Sequence, residues 1–141
     1  MKVKIKRLDP NAVIPKYSKP GDAGMDLTAI YKVWDDQNEV VVFGTGIAVE
    51  IPEGYVGLIF PRSSQFRTGL TLSNHVGVID SGYRGEIKFM FYPGSRPKKN
   101  FKVGDRIGQL IVIPYPNVEF EEVVELSSSE RGESGFGSSG K

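Results

Sequence analysis

Apolar residues recur at about every second position along this chain, in short runs bounded by glycine, proline, asparagine or aspartate. That period sends successive side chains to opposite faces of an extended backbone and predicts half-buried strands. Positions 40–43, 46–51, 55–60, 70–72, 76–79, 86–92 and 106–113 fit it. Val, Ile, Phe and Tyr dominate these runs, as strands prefer. Ile51-Pro52-Glu53-Gly54-Tyr55 predicts a tight turn, with Pro presetting φ and Gly accepting a positive one. Asp35-Asp36-Gln37-Asn38 predicts another, its acidic pair solvated and not metal-binding. No segment sustains a 3.6-residue apolar period. One helical turn is expected at positions 63–68, with a serine as N-cap. Many short strands, frequent turns and little helix predict an all-β sandwich or barrel.

Composition narrows the chemistry. The formal net charge is +1, so no global field draws the protein to nucleic acid or a membrane, and neither is expected as a partner. An anionic ligand would need a local cluster of arginine and lysine. Cysteine is absent, which excludes disulfides and thiolate metal sites. The first residues, Met1-Lys2-Val3-Lys4-Ile5-Lys6-Arg7, alternate charge with apolar side chains and lead into no apolar h-region. No apolar run approaches the roughly 20 residues needed to span a bilayer. A soluble cytoplasmic protein is expected. After Leu126 the chain turns to Ser, Gly, Glu and Arg, too polar to order itself. The chain therefore divides into a β domain, 1–126, and a flexible glycine-rich arm, 127–141.

Four stretches are able to carry chemistry. Gly135-Phe136-Gly137-Ser138-Ser139-Gly140-Lys141 imitates the front of a P-loop, but no strand precedes it and no helix follows, so a Walker site is rejected. Its glycines, its serines and nearby Arg131 still suit a phosphate chain, and Phe136 offers a face for a base. Phe60-Pro61-Arg62-Ser63-Ser64 ends a strand on an arginine and two hydroxyls, either a capped turn or an anion site. Asn74 to Ile87 sets two apolar strands around a turn rich in Asp, Ser and Gly. Asp80 follows Val78-Ile79 there, as an ordinary turn aspartate or as a base held at a strand end. The fourth stretch, Phe101 to Leu110, puts Gln109 inside an apolar strand, facing either solvent or a cleft, and sets Asp105 beside Arg106 as a possible turn ion pair. His75, the single histidine, has no second His or Cys to complete a zinc site, and no G-x-S-x-G motif gives it a serine partner.

Taken in order, five segments resemble the motifs of the trimeric dUTPase family (deoxyuridine 5′-triphosphate nucleotidohydrolases). They are Pro20-Gly21-Asp22-Ala23-Gly24-Met25-Asp26-Leu27, Pro61-Arg62-Ser63-Ser64, Gly77-Val78-Ile79-Asp80-Ser81-Gly82-Tyr83-Arg84-Gly85, Gly104-Asp105-Arg106-Ile107-Gly108-Gln109-Leu110, and the run from Arg131 to Gly140. Five matches in one order across nearly the whole chain are far more specific than any one of them. The second motif departs from the family's usual Ser-Gly at Ser63-Ser64, and the fifth from Ser-Thr-Gly at Ser138-Ser139-Gly140. Both keep a small or hydroxyl residue, so altered rate is expected, not loss.

The resemblance implies a jelly-roll-like β-barrel subunit of the β-clip kind, working as a homotrimer, with the arm of one chain closing over a site formed by others. It implies hydrolysis of dUTP to dUMP and pyrophosphate, which supplies dUMP for thymidylate synthesis and keeps uracil out of DNA. Asp80 would activate water, and Tyr83 would pack on the sugar and exclude a 2′-hydroxyl. Asn74, Val78, Ile79 and Lys88 would belong to the hairpin that reads uracil. Arg62, Ser63, Ser64 and Gln109 would contact phosphate, with Gln109 also counted in the catalytic set. Arg131, Gly137, Ser138 and Ser139 would hold the outer phosphates, and Phe136 would cover the base. Mg²⁺ would rest mainly on the three phosphates, with Asp26 reaching it only through water. Two alternatives stay open: a dCTP deaminase-like enzyme, which shares the subunit fold but lacks the fifth motif, and a non-enzymatic dUTPase-like binder of a regulatory protein.

Overall fold

In the computed structural model, which describes residues 1–94 and 100–135, the alternating runs become strands. In chain order these are β1 (Lys4–Arg7), β2 (Met25–Thr28), β3 (Tyr31–Asp35), β4 (Val40–Gly44), β5 (Ile47–Glu50), β6 (Tyr55–Phe60), β7 (Leu70–Leu72), β8 (Gly77–Ile79), β9 (Lys88–Pro93) and β10 (Arg106–Pro114). Eight of them form two four-stranded antiparallel sheets, ordered β2-β10-β6-β8 and β3-β4-β9-β7. That is the strand count of a jelly roll. The remaining two, β1 and β5, pair with each other at the side.

All seven predicted strands are present, with ends displaced by at most two residues. Three strands went unpredicted because their patterns carry no burial signal. β1 is exposed at every position, and β2 is only four residues long. β3, an edge strand, leaves Val33 and Trp34 about half exposed. The expected turn at 51–55 closes through the Tyr55 N–H on the Pro52 carbonyl (3.2 Å), with Gly54 at φ +78°. The turn at 35–38 is held by the Asp35 carboxylate, which accepts the Gln37 and Asn38 N–H groups.

The core lies between the sheets. β9 alternates, so Phe89 and Phe91 point inward and Lys88, Met90 and Tyr92 outward. Phe91 meets Phe43 edge-on at 5.8 Å, and Phe101 closes the cluster against both. Each fully buried ring contributes roughly 2–3 kcal/mol of transfer free energy. Gly108 on β10 makes room for this packing, because a Cβ there would overlap the Phe89 ring.

The expected helical turn is a 3₁₀ segment, Ser63–Arg67, and its N-cap is Arg62, not a serine, with no side-chain cap hydrogen bond. Thr68 closes the far end, its hydroxyl donating to the Gln65 carbonyl. Beyond β10, residues 116–134 are exposed and contain no strand. Among the described residues no helix is long and apolar enough to cross a membrane.

Candidate active site

Strands β8 and β9 leave one turn but enter different sheets: β8 pairs with β6, β9 with β4 and β7. The segment therefore does not zip into the simple hairpin that its glycines allow. A cleft of about 440 Å³ opens between its arms. β8 is the last strand of its sheet, so its outer backbone N–H and C=O groups have no ladder partner. On β9, Lys88 and Phe89 pair with β4 on one side only; the Met90 carbonyl already accepts the Ser73 N–H, and β7 pairs from Phe91. Two half-free strand edges thus border a slot suited to a flat ligand with hydrogen-bonding edges.

The sequence-predicted residues Asn74, Val78, Ile79, Asp80, Tyr83 and Lys88 all line this cleft. Gly77 lets β8 lie close to its neighbours, since a Cβ there would strike the Ile59 side chain. Asp80 sits one residue beyond β8 and is exposed, and its carboxylate has no hydrogen-bond partner among the described residues. Its carbonyl accepts the Tyr83 N–H (3.1 Å) and closes the turn. Both carboxylate oxygens are left for water, as a general base requires. His75, at φ +58°, is a turn residue.

A second cleft, of about 320 Å³, gathers Asp26, Arg62, Ser63, Arg106 and Gln109. The register explains the grouping: Gln109 on β10 stands between Asp26 on β2 and Phe60 on β6. A bulge between Arg106 and Gly108 re-aims Arg106. The Asp26 carboxylate then grips two guanidiniums, Arg62 Nε at 2.8 Å and Arg106 Nη1 at 3.0 Å. Gln109 faces the cleft, not solvent, donating to the Pro61 carbonyl at 3.3 Å, and its side chain lies where a Cβ on Gly24 would be. Two arginines, a serine and a carboxamide converge here, a donor set suited to a phosphate chain. Ser64 opens instead onto an adjoining cleft with Arg62, Arg67 and Arg106.

Sequence reasoning gave Arg106 no site role beyond its place in the fourth motif and allowed it a turn ion pair with Asp105. That pairing is corrected: the Asp105 carboxylate accepts the Lys102 N–H, and Arg106 turns to Asp26. A bulge leaves no mark on an apolar pattern, so the sequence held no signal for it. Glu86, which also lines the first cleft, was missed as well.

The two clefts do not merge within one chain. No residue lines both, although Ile111 of the second and Val78 of the first flank Leu58 in the same sheet. Arg131 joins neither cleft; its Nε donates to the Ser134 carbonyl in the exposed arm. Phe136, Gly137, Ser138 and Ser139 lie outside the described residues.

A jelly-roll subunit that carries an edge-lined slot beside a free carboxylate, and a separate arginine cleft, defines a site for a flat, polyanionic ligand. The dUTPase family model matches residues 10–140. The chain belongs to the dUTPase family. It is 45% identical to the deoxyuridine 5′-triphosphate nucleotidohydrolase of Nautilia profundicola, covering 100% of both chains. It is also 45% identical to that of Thermobifida fusca, over 99% of this chain and 79% of the relative. Among solved structures, the Staphylococcus bacteriophage 80alpha dUTPase with dUpNHpp superposes with a TM-score of 0.84 at 32% identity, covering 99% of each chain. A variant of the phage phi11 dUTPase, which coordinates a structural Mg(II) ion, matches with a TM-score of 0.73 at 25% identity, over 89% of this chain and 98% of that one.

Proposed function

We propose that this protein hydrolyses dUTP to dUMP and pyrophosphate by attack of water on the α-phosphorus, with Asp80 as general base. One observation carries the reading: an unpaired carboxylate stands at the mouth of a slot bordered by half-free strand edges. Uracil enters that slot, where backbone N–H and C=O groups in fixed order distinguish it from cytosine. Tyr83 covers the sugar and leaves no space for a 2′-hydroxyl. Asn74, Val78, Ile79 and Lys88 complete the wall. Arg62, Ser63, Ser64 and Gln109 hold the phosphates, and Arg106 joins them through its shared grip on Asp26.

The separation of the clefts within one subunit supports a homotrimer whose sites are assembled from different chains. The exposure of Phe120 (93%), Val124 (102%) and Leu126 (88%) supports the same reading, since single chains rarely leave such residues bare in one stretch. The arm, 127–141, then closes over a neighbour's site, with Arg131, Gly137, Ser138 and Ser139 on the outer phosphates and Phe136 over the base.

Among the described residues no three acidic or imidazole side chains converge on a point. Asp26, with each carboxylate oxygen engaged by a guanidinium, is a poor direct ligand for a hard dication. The donor set therefore fits Mg²⁺ held by the substrate's phosphates, with Asp26 reaching it through water. When bound there, the ion neutralises developing charge on the leaving group. Asp80 takes the proton from water, and Arg62 and Gln109 fix the phosphates for in-line attack.

The test is pyrophosphate release with Mg²⁺ from dUTP, dCTP, dTTP and UTP. Release from dUTP alone is expected. Release from none would move the function to protein binding, and ammonia from dCTP would point to deamination.

A further inference from the structure

Glu86 is the one acidic side chain of the first cleft that the proposed reaction does not use. Its side chain is 15% exposed, yet it carries a dense set of contacts. One carboxylate oxygen accepts the Tyr31 hydroxyl on β3 (2.8 Å), and the other accepts the Gly46 N–H (2.8 Å). Lys88 Nζ lies 3.6 Å away. The carbonyl of the same residue accepts the Tyr83 hydroxyl at 3.0 Å. Around it, Ile87 donates to the Ile47 carbonyl (2.8 Å) and Thr45 Oγ1 to the Ile87 carbonyl (2.7 Å). The start of β9 is thereby fastened to the corner between β4 and β5.

Two glycines are shaped to this arrangement. A Cβ on Gly44 would overlap the Tyr31 ring, and one on Gly85 would overlap the Tyr83 ring. Tyr83 is 44% exposed, so apolar packing alone does not fix its ring. Its hydroxyl bond and its seat on Gly85 do, and both belong to the segment that the Glu86 carboxylate anchors.

We infer that Glu86 is a positioning residue for sugar selection: its carboxylate pins the turn so that its carbonyl holds the Tyr83 ring where a 2′-hydroxyl would have to fit. This rests on the reading of Tyr83 as the sugar filter. The quantity to measure is the ratio of kcat/KM for dUTP to that for UTP. Glu86→Ala removes both carboxylate bonds and lowers the ratio about tenfold, in line with the loss of hydrogen bonds to a charged acceptor. Glu86→Gln restores most of it, because the amide is able to accept from Gly46 N–H and donate to the Tyr31 oxygen. A purely structural role would lower both substrates alike and leave the ratio unmoved. Tyr83→Phe, which keeps the ring and loses the tether, lowers the ratio in the same direction and serves if Glu86→Ala does not fold. Tyr83→Ala separates the two ideas. An unchanged ratio in Tyr83→Ala overturns the sugar-filter reading. A changed ratio there, with Glu86→Ala or Tyr83→Phe unchanged, overturns the role of Glu86 alone.

Discussion

The cleft between β8 and β9 sets strand edges and apolar side chains beside a mixed polar set, Asn74, Asp80, Glu86 and Lys88, whereas the cleft at Asp26 is built around two guanidiniums sharing a single acid. The first depends on shape. Its width is fixed by which sheet each strand joins, and Gly77 and Gly85 leave no room for a methyl group. The second depends on charge. Arg62 and Arg106 come from different strand ends and are held in register by Asp26, which keeps them aligned before any anion arrives. In the proposed reaction the guanidinium cleft grips the phosphates and the slot selects base and sugar, and the proposed trimer is what would bring the two together.

Mutations should separate the two clefts in kind as well as size. Asp80→Asn is expected to lower turnover by about 10³-fold, the range of a lost general base, while dUTP binding by calorimetry persists. Turnover near that of the unaltered protein would remove Asp80 from the chemistry. Truncation after Glu130 removes Arg131 and the rest of the arm. Turnover should fall on the order of a hundredfold, the scale of losing a positioning contact, with a folded trimer in sedimentation. A fully active truncate would sink the lid. Arg62→Ala should raise the KM for dUTP roughly tenfold or more and leave base and sugar selectivity alone. Arg62→Lys should recover little, since one ammonium cannot keep the Asp26 bond and grip phosphate in a fork. Altered selectivity in either Arg62 variant would mean that the clefts are not separate in function.

How far the sequence reached follows the same division. The strands that bury alternate faces were legible because β9 and β6 write their burial directly into the apolar pattern. β1 and β3, with no buried face of their own, were silent. Asp80 and Gln109 stand out as polar residues set beside apolar runs, whereas Tyr83, and every role, came from the motif order. Arg106 was missed because a β-bulge, not periodicity, decides where it points. Glu86 was missed because its partners, Tyr31 and Gly46, lie 55 and 40 residues away and meet it only after β3 and β9 enter the same sheet. A serine was expected to cap the turn at 63–68 and Arg62 takes that place, since hydroxyl type alone does not say which residue begins the turn.

The smallest effect tests the anchoring of the first cleft directly. Burial, and then the Glu86 carboxylate beside it, push the Tyr31 hydroxyl above its ordinary range. Tyr31 first, and Glu86 after it, also hold the Lys88 ammonium above its own. A group whose folded value is raised contributes stability that is complete below its unfolded value and is lost as pH rises through the folded one. Both groups therefore act in one window, from about pH 10 upward. Urea unfolding of the assembled protein should show stability declining there, and Tyr31→Phe should make the decline shallower. The Asp26 cluster should not share it, because guanidinium keeps its charge across that range. Lys88 is 43% exposed, so solvent screens its part and the change should be small. An equal decline in the Tyr31→Phe variant would mean that the alkaline loss arises elsewhere and that the phenol adds nothing to the anchor.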